Sequence, residues 1–160
     1  MSYRIGLGTD FHQLASGRKL WLGGIEIPHT KGAIGHSDAD VLLHAICDAL
    51  LGALNLGDIG LHFPDTDKSL KDIDSKILLG KTFQLILKKG YRIVNLDTVV
   101  CLENPKIKVF VPEMRNVIAG ILEISPNDIS IKATTTEKLG FIGREEGLMA
   151  QAVILLRKSD

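Results

Sequence analysis

Gly6-Leu7-Gly8-Thr9-Asp10-Phe11-His12 continues a short strand, Tyr3-Arg4-Ile5, across two glycines to a carboxylate and an imidazole two residues apart. On extended backbone, residues i and i+2 project to the same side, so Asp10 and His12 face one common target. A carboxylate oxygen and an imidazole nitrogen are both donors suited to a borderline ion such as zinc. Two donors do not close a metal site. The rest of the chain must supply a third.

The chain has 160 residues, the size of one domain that can bury a core without disulfides. Its apolar share is 45% but its aromatic share only 5%, so the core is expected to be aliphatic. Nineteen Lys and Arg balance nineteen Asp and Glu, which removes any general electrostatic case for nucleic acid or an anionic membrane as partner. Cys47 and Cys101 have no metal-type spacing and read as reduced, buried thiols. No apolar run approaches the ~18 residues that span a bilayer. A strand that starts at Tyr3 is expected to leave no room for a signal peptide, which points to the cytoplasm.

Outward from the opening strand, Gln13 to Arg18 reads as a mobile loop. Lys19–Leu22 and Ile25–Pro28 flank Gly23-Gly24 as a hairpin. In His36-Ser37-Asp38-Ala39-Asp40, Ser37 and Asp40 have capping-box spacing ahead of a helix running from Ala39 to about Leu54. Asp40, His44 and Asp48 fall on one face of that helix. Leu56 to Asp74 looks like loop. A second helix is expected from about Ser75 to Lys89, stopped by Gly90. A strand over Tyr91–Leu102 follows, then a helix entered at Pro112. Strands are expected over 129–133 and 148–156, separated by a polar loop from Thr134 to Glu146. The order is that of an α+β sheet with helices packed on it.

His44 is the candidate third donor. Asp10, His12 and His44 together leave one tetrahedral position open, the arrangement of a catalytic zinc. Asp40 and Asp48, one turn either side, are candidates to orient the free ring nitrogen of His44. His36 and Ser37 precede a helix N-terminus, a corner that favours phosphate. In Lys132-Ala133-Thr134-Thr135-Thr136-Glu137-Lys138-Leu139-Gly140-Phe141, three threonines offer hydroxyls and N–H groups to anionic oxygen. Glu137 adds a hard ligand for Mg²⁺ or Mn²⁺.

These stretches, with Asp48-Ala49-Leu50-Leu51-Gly52-Ala53, Asp58-Ile59-Gly60 and Phe63-Pro64-Asp65-Thr66-Asp67, resemble the 2-C-methyl-D-erythritol 2,4-cyclodiphosphate synthase family in order and spacing along essentially the whole chain. The resemblance implies one synthase domain over 1–160. It also implies an α+β fold, a mixed sheet packed on one side by about three helices in a chorismate-mutase-like, two-layer, trimer-forming arrangement. It implies zinc at Asp10, His12 and His44, and a second divalent cation at Glu137. His36 and Thr135 would position phosphates and stabilise the transition state. Ser37, Asp58, Ile59, Gly60, Phe63, Pro64, Asp65, Thr66 and Asp67 would contact the substrate's methylerythritol and phosphate portion. Pro105, Lys106, Ala133, Thr134 and Thr136 would contact the cytidine diphosphate, with Phe141 and Arg144 completing the contacts. Ala39 stands where glycine is frequent in the family, and Leu61 where lysine is often found.

The implied reaction is metal-assisted attack of a 2-phosphate on the β-phosphorus of a cytidine diphosphate, releasing CMP. The implied assembly is a homotrimer with active sites between subunits. Two other readings compete: a non-catalytic trimeric nucleotide sensor, and a zinc-dependent phosphate-ester hydrolase.

Overall fold

The opening strand is longer than its sequence suggests. In a computed structural model describing residues 2–159, β1 (Tyr3–Ser16) runs through Asp10 and His12 and absorbs most of the expected loop over Gln13 to Arg18. Its far end is held by β4 (Lys31–Ile34), a strand not evident in the sequence, through pairs from Gln13–Ile34 to Ser16–Lys31. Lys31-Gly32-Ala33-Ile34 is short and carries no clear alternation, so tertiary pairing decides it. Met1 and Asp160, the ends of the expected 1–160 domain, lie outside the described residues.

The hairpin forms as expected from β2 (Leu20–Leu22) and β3 (Ile25–Ile27), with Gly23 and Gly24 both at positive φ. Then follow α1 (Val41–Ala53), a one-turn α2 (Ile59–His62) and α3 (Ser75–Lys88). The C-terminal half contributes β5 (Tyr91–Cys101), α4 (Val111–Leu122), β6 (Ile129–Thr134), a one-turn α5 (Gly140–Gly143) and β7 (Gly147–Lys158). The main sheet has the order β4-β1-β7-β5-β6. Only β5 and β6 run parallel, which makes the sheet mixed and the fold α+β, as expected.

Helix α1 lies directly on β1 because the two glycines of the opening stretch remove the side chains between them. A Cβ on Gly6 would sit 1.8 Å from the Ala49 carbonyl oxygen, and one on Gly8 1.9 Å from that of Ala45. Alternate positions along the same strand, Ile5 and Leu7, face the other way and are 71% and 63% exposed. Helix α1 is buried nearly all round, against β1, β7 and α3. The core it anchors is aliphatic, built from residues such as Leu42, Ile46, Leu50, Leu79, Leu96 and Ile154.

The capping box reading is corrected. Helix α1 starts at Val41, and its cap is Asp40, whose carboxylate accepts the N–H groups of Leu42 and Leu43. The same carboxylate accepts from Gly23 and Gly24, tying the hairpin to the helix start, and it is wholly buried. Four N–H donors make a buried carboxylate tolerable there. Ala39 just before it has φ of 59°, the left-handed conformation that glycine adopts without cost. The expected loop over 56–74 contains α2 and a short 3₁₀ turn at Lys68–Leu70, begun by the side chains of Asp58 and Asp67. Among the described residues no helix is long and apolar enough to cross a membrane.

Candidate active site and metal centre

Strand β1 and helix α1 bring the three expected donors together. Asp10 Oδ2 lies 3.0 Å from both His12 Nε2 and His44 Nδ1, and the two nitrogens are 3.1 Å apart. Asp10 and His12 meet His44 because Gly8 lets the helix approach the strand without a side chain between them. The remaining ring nitrogens are occupied. His12 Nδ1–H donates to the Ile34 carbonyl at 3.0 Å, which leaves Nε2 as the free donor atom facing Asp10. His44 Nε2 lies 2.9 Å from Ser75 Oγ and 3.1 Å from Ser37 Oγ, which leaves Nδ1 facing the same point. An oxygen and two imidazole nitrogens converging on one point suit zinc, and among the described residues this is the one group arranged to hold a metal ion.

Burial pushes the Asp10 carboxyl up, but hydrogen bonds and charge from His12 and His44 outweigh it and keep Asp10 below the usual carboxylate range. Burial favours neutral His44, yet its hydrogen bond to Asp10 and the charges of Asp10, Asp40 and Asp38 raise its pKa above 6.5.

Asp40 and Asp48 do not orient His44, contrary to the sequence reading. Asp40 is committed to capping, and Asp48 accepts the N–H of Ile59 at 2.7 Å, fixing the start of α2. The groups on the ring are the hydroxyls of Ser37 and Ser75. Ser37 was expected at a helix cap and a phosphate corner; it is 8% exposed and also accepts the N–H of Ala39. Ser75 was not anticipated. The only signal for it is a serine right after Asp74, which caps α3.

A cleft of about 420 Å³ opens beside the triad. It is lined by His12 and His44, by the expected His36, Ser37, Ile59, Gly60, Phe63, Pro64, Asp65 and Thr66, and by Leu70, Ile73 and Leu78, which sequence reasoning missed. Leu70 and Ile73 are apolar side chains of a segment read as loop, and Leu78 belongs to the expected helix α3. His36 donates from Nε2 to the Asp67 carbonyl at 3.2 Å. The Asp58 carboxylate accepts the N–H of Leu61, and the Asp67 carboxylate holds Ser69, so both brace the cleft wall.

The remaining expected residues gather elsewhere. Pro105, Lys106, Ala133, Thr134 and Thr135 line a second, shallower cavity of about 100 Å³ where β5 and β6 end. The loop beyond β6 turns back through Glu137 and Lys138, both at positive φ. Glu103 grips that loop: its carboxylate accepts from Thr136 N at 2.9 Å, from the Thr136 hydroxyl and from Lys138 N. Thr135 Oγ1 accepts the N–H of Glu137 and lies 3.5 Å from its carboxylate. Phe141 packs against Phe11 with ring centroids 6.2 Å apart. Arg144 is exposed and paired in bidentate fashion with Glu146, lining neither cavity. The two cavities share no residue.

The YgbB family model matches residues 3–157. The chain belongs to this family. Within it, the 2-C-methyl-D-erythritol 2,4-cyclodiphosphate synthase of Bacteroides thetaiotaomicron is 60% identical over 158 residues, covering 99% of each chain. Among solved structures, the bifunctional IspDF of Campylobacter jejuni superposes with a TM-score of 0.96 at 42% identity, covering 99% of this YgbB-family chain and 43% of the longer protein. The Plasmodium falciparum IspF in complex with CDP gives a TM-score of 0.88 at 36% identity, covering 99% and 98% of the two chains.

Proposed function

We propose that the chain is a single synthase domain that cyclises 4-diphosphocytidyl-2-C-methyl-D-erythritol 2-phosphate to 2-C-methyl-D-erythritol 2,4-cyclodiphosphate and CMP, in the non-mevalonate route to isoprenoids. The observation that carries this is the Asp10, His12 and His44 triad opening into a cleft lined by His36 and Ser37, in a chain 60% identical to a cyclodiphosphate synthase. An oxygen of the 2-phosphate forms a bond to the β-phosphorus. The bond from that phosphorus to the oxygen bridging the α-phosphorus breaks, and CMP leaves with the oxygen and its electron pair. Two anions must meet, so neutralisation and alignment dominate the barrier.

Zinc held by Asp10, His12 and His44 supplies a Lewis acid that neutralises phosphate charge when bound. His36 and Ser37 hold the phosphate at the mouth of the triad, and Thr135 orients the phosphate being attacked. Phe63, Pro64, Asp65 and Thr66, with Ile59 and Gly60, enclose the methylerythritol and exclude water. Pro105, Lys106, Ala133 and Thr134 take the cytidine diphosphate, in keeping with the CDP carried by the Plasmodium falciparum relative. Glu137 is the ligand for the second divalent cation, Mg²⁺ or Mn²⁺, and Phe141 and Arg144 complete the substrate contacts.

The two cavities lie apart in one chain, which supports a homotrimer whose active sites join the triad cleft of one subunit to the shallow cavity of the next. The uncovered sheet face, with Tyr3, Ile5, Leu7 and Val153 exposed, is the apolar surface such an assembly would bury. A cytoplasmic setting is part of this reading, supported by two free thiols, of which Cys47 is fully buried with its pKa pushed up to about 12 by burial. A CMP-release assay with zinc and magnesium present tests the proposal. Metal-dependent CMP release supports it; binding of CDP without CMP release would favour the sensor reading.

A further inference from the structure

We infer that Ser75, anchored by Asp38, is a positioning residue that decides which ring nitrogen His44 presents to the metal; the inference rests on the reading of Asp10, His12 and His44 as the zinc site. Ser75 is the first residue of α3 and has no exposed surface. Its N–H donates to Asp38 Oδ2 at 3.0 Å and its hydroxyl donates to Asp38 Oδ1. A hydroxyl carries one proton, so the Ser75 oxygen faces His44 Nε2, 2.9 Å away, as an acceptor. His44 therefore keeps a proton on Nε2, and Nδ1, once it gives up the proton it shares with Asp10, turns its lone pair to the point shared with Asp10 and His12. Ser37 Oγ lies 3.1 Å from the same Nε2 and 3.5 Å from Ser75 Oγ.

The two histidines thus reach one ion through opposite nitrogens, and a different device sets each. For His12 it is the Ile34 carbonyl on β4. For His44 it is a carboxylate acting through a hydroxyl, with its charge placed one residue further from the metal. Asp38-Ala39-Asp40 accordingly divides the work: Asp40 caps α1, which carries His44, while Asp38 holds the start of α3, which carries the partner of its ring.

Ser75→Ala tests this, because it removes the acceptor and keeps the N–H bond to Asp38. The expected result is zinc affinity weakened about 10–100-fold in chelator competition. The visible spectrum of the cobalt-substituted protein should also change, while the metal-free variant still unfolds cooperatively in urea. Ser75→Thr, which retains a hydroxyl, should restore the spectrum. Asp38→Asn, which retains an acceptor for the hydroxyl but not the charge, should give a smaller loss than Ser75→Ala. Should Ser75→Ala not fold, nitrogen-edited NMR of the zinc-loaded wild-type protein gives an independent answer, with a slowly exchanging proton on Nε2 of His44 expected. Wild-type zinc affinity and cobalt spectrum in Ser75→Ala, or zinc on Nε2, would overturn the role of Ser75. Failure of the wild-type chain to take up one zinc would overturn the metal reading itself.

Discussion

Gly8→Ala probes the contact on which the metal centre depends. The added Cβ would lie 1.9 Å from the Ala45 carbonyl oxygen and 2.6 Å from the Ala49 amide nitrogen, both backbone atoms of α1 that no rotamer change can move. Reaching even a tight 3.0 Å requires strand and helix to part by about 1 Å. Overpacking of this kind costs typically ~1–3 kcal/mol, and more where backbone must shift. His44 is the residue before Ala45 and would be carried away from Asp10 and His12. The donors now stand 3.0–3.1 Å apart, and metal–ligand distances tolerate only about ±0.2 Å. The variant should therefore lose stoichiometric zinc, measured by metal analysis after gel filtration, and unfold at lower urea. Gly52→Ala is the control: its Cβ would meet only the Leu7 carbonyl oxygen at 3.8 Å, at an exposed position of α1. It should stabilise by about 0.5–1 kcal/mol and keep zinc. A Gly8→Ala protein with one zinc per chain and wild-type affinity would refute the idea that strand–helix contact sets the triad.

His44→Ala and Asp10→Ala should each lose zinc and most CMP release while far-ultraviolet circular dichroism stays native; retention of both zinc and turnover would contradict the donor assignment. Glu137→Gln should raise the magnesium concentration needed for half-maximal rate and leave zinc content unchanged, so a parallel loss of zinc would count against two separate cation sites. In the metal-free protein the Asp10 carboxyl, held below its ordinary 3.8, contributes stability that is present above that value and lost as pH falls through the lowered one. His44, raised above 6.5, contributes stability that is complete below 6.5 and lost as pH rises through the raised value. Zinc requires His44 without its Nδ1 proton, so the zinc-induced rise in Tm should grow as pH rises from 6.5 through the raised value. An increment that is flat or falling over that range would contradict the coupling.

The features legible in the sequence were those with a local signature. Asp10 and His12 share a strand face by simple alternation, and His44 stands out as a histidine inside an apolar helical run. The glycine hairpin, Gly90 after α3 and Pro112 at the start of α4 follow from backbone chemistry alone. Distant partners set the rest. Ser37 and Asp40 are both good caps, and what chooses Asp40 is the pair of hairpin N–H groups from Gly23 and Gly24, seventeen and sixteen residues away. Strand β4 exists because β1 offers it a free edge. Ser75 is separated from His44 by 31 positions, and no short-range pattern joins them. The same holds for Glu103, which grips the threonine loop 33 residues further on.

The most direct test of the central claim is ³¹P NMR of the product formed from 4-diphosphocytidyl-2-C-methyl-D-erythritol 2-phosphate with zinc and magnesium present. Cyclisation predicts one CMP for each substrate consumed, together with two coupled diphosphate phosphorus signals from a ring that lacks a terminal phosphate. CMP accompanied by a linear product bearing terminal phosphates would mean that water, and not the 2-phosphate, attacks the β-phosphorus, and would contradict the account.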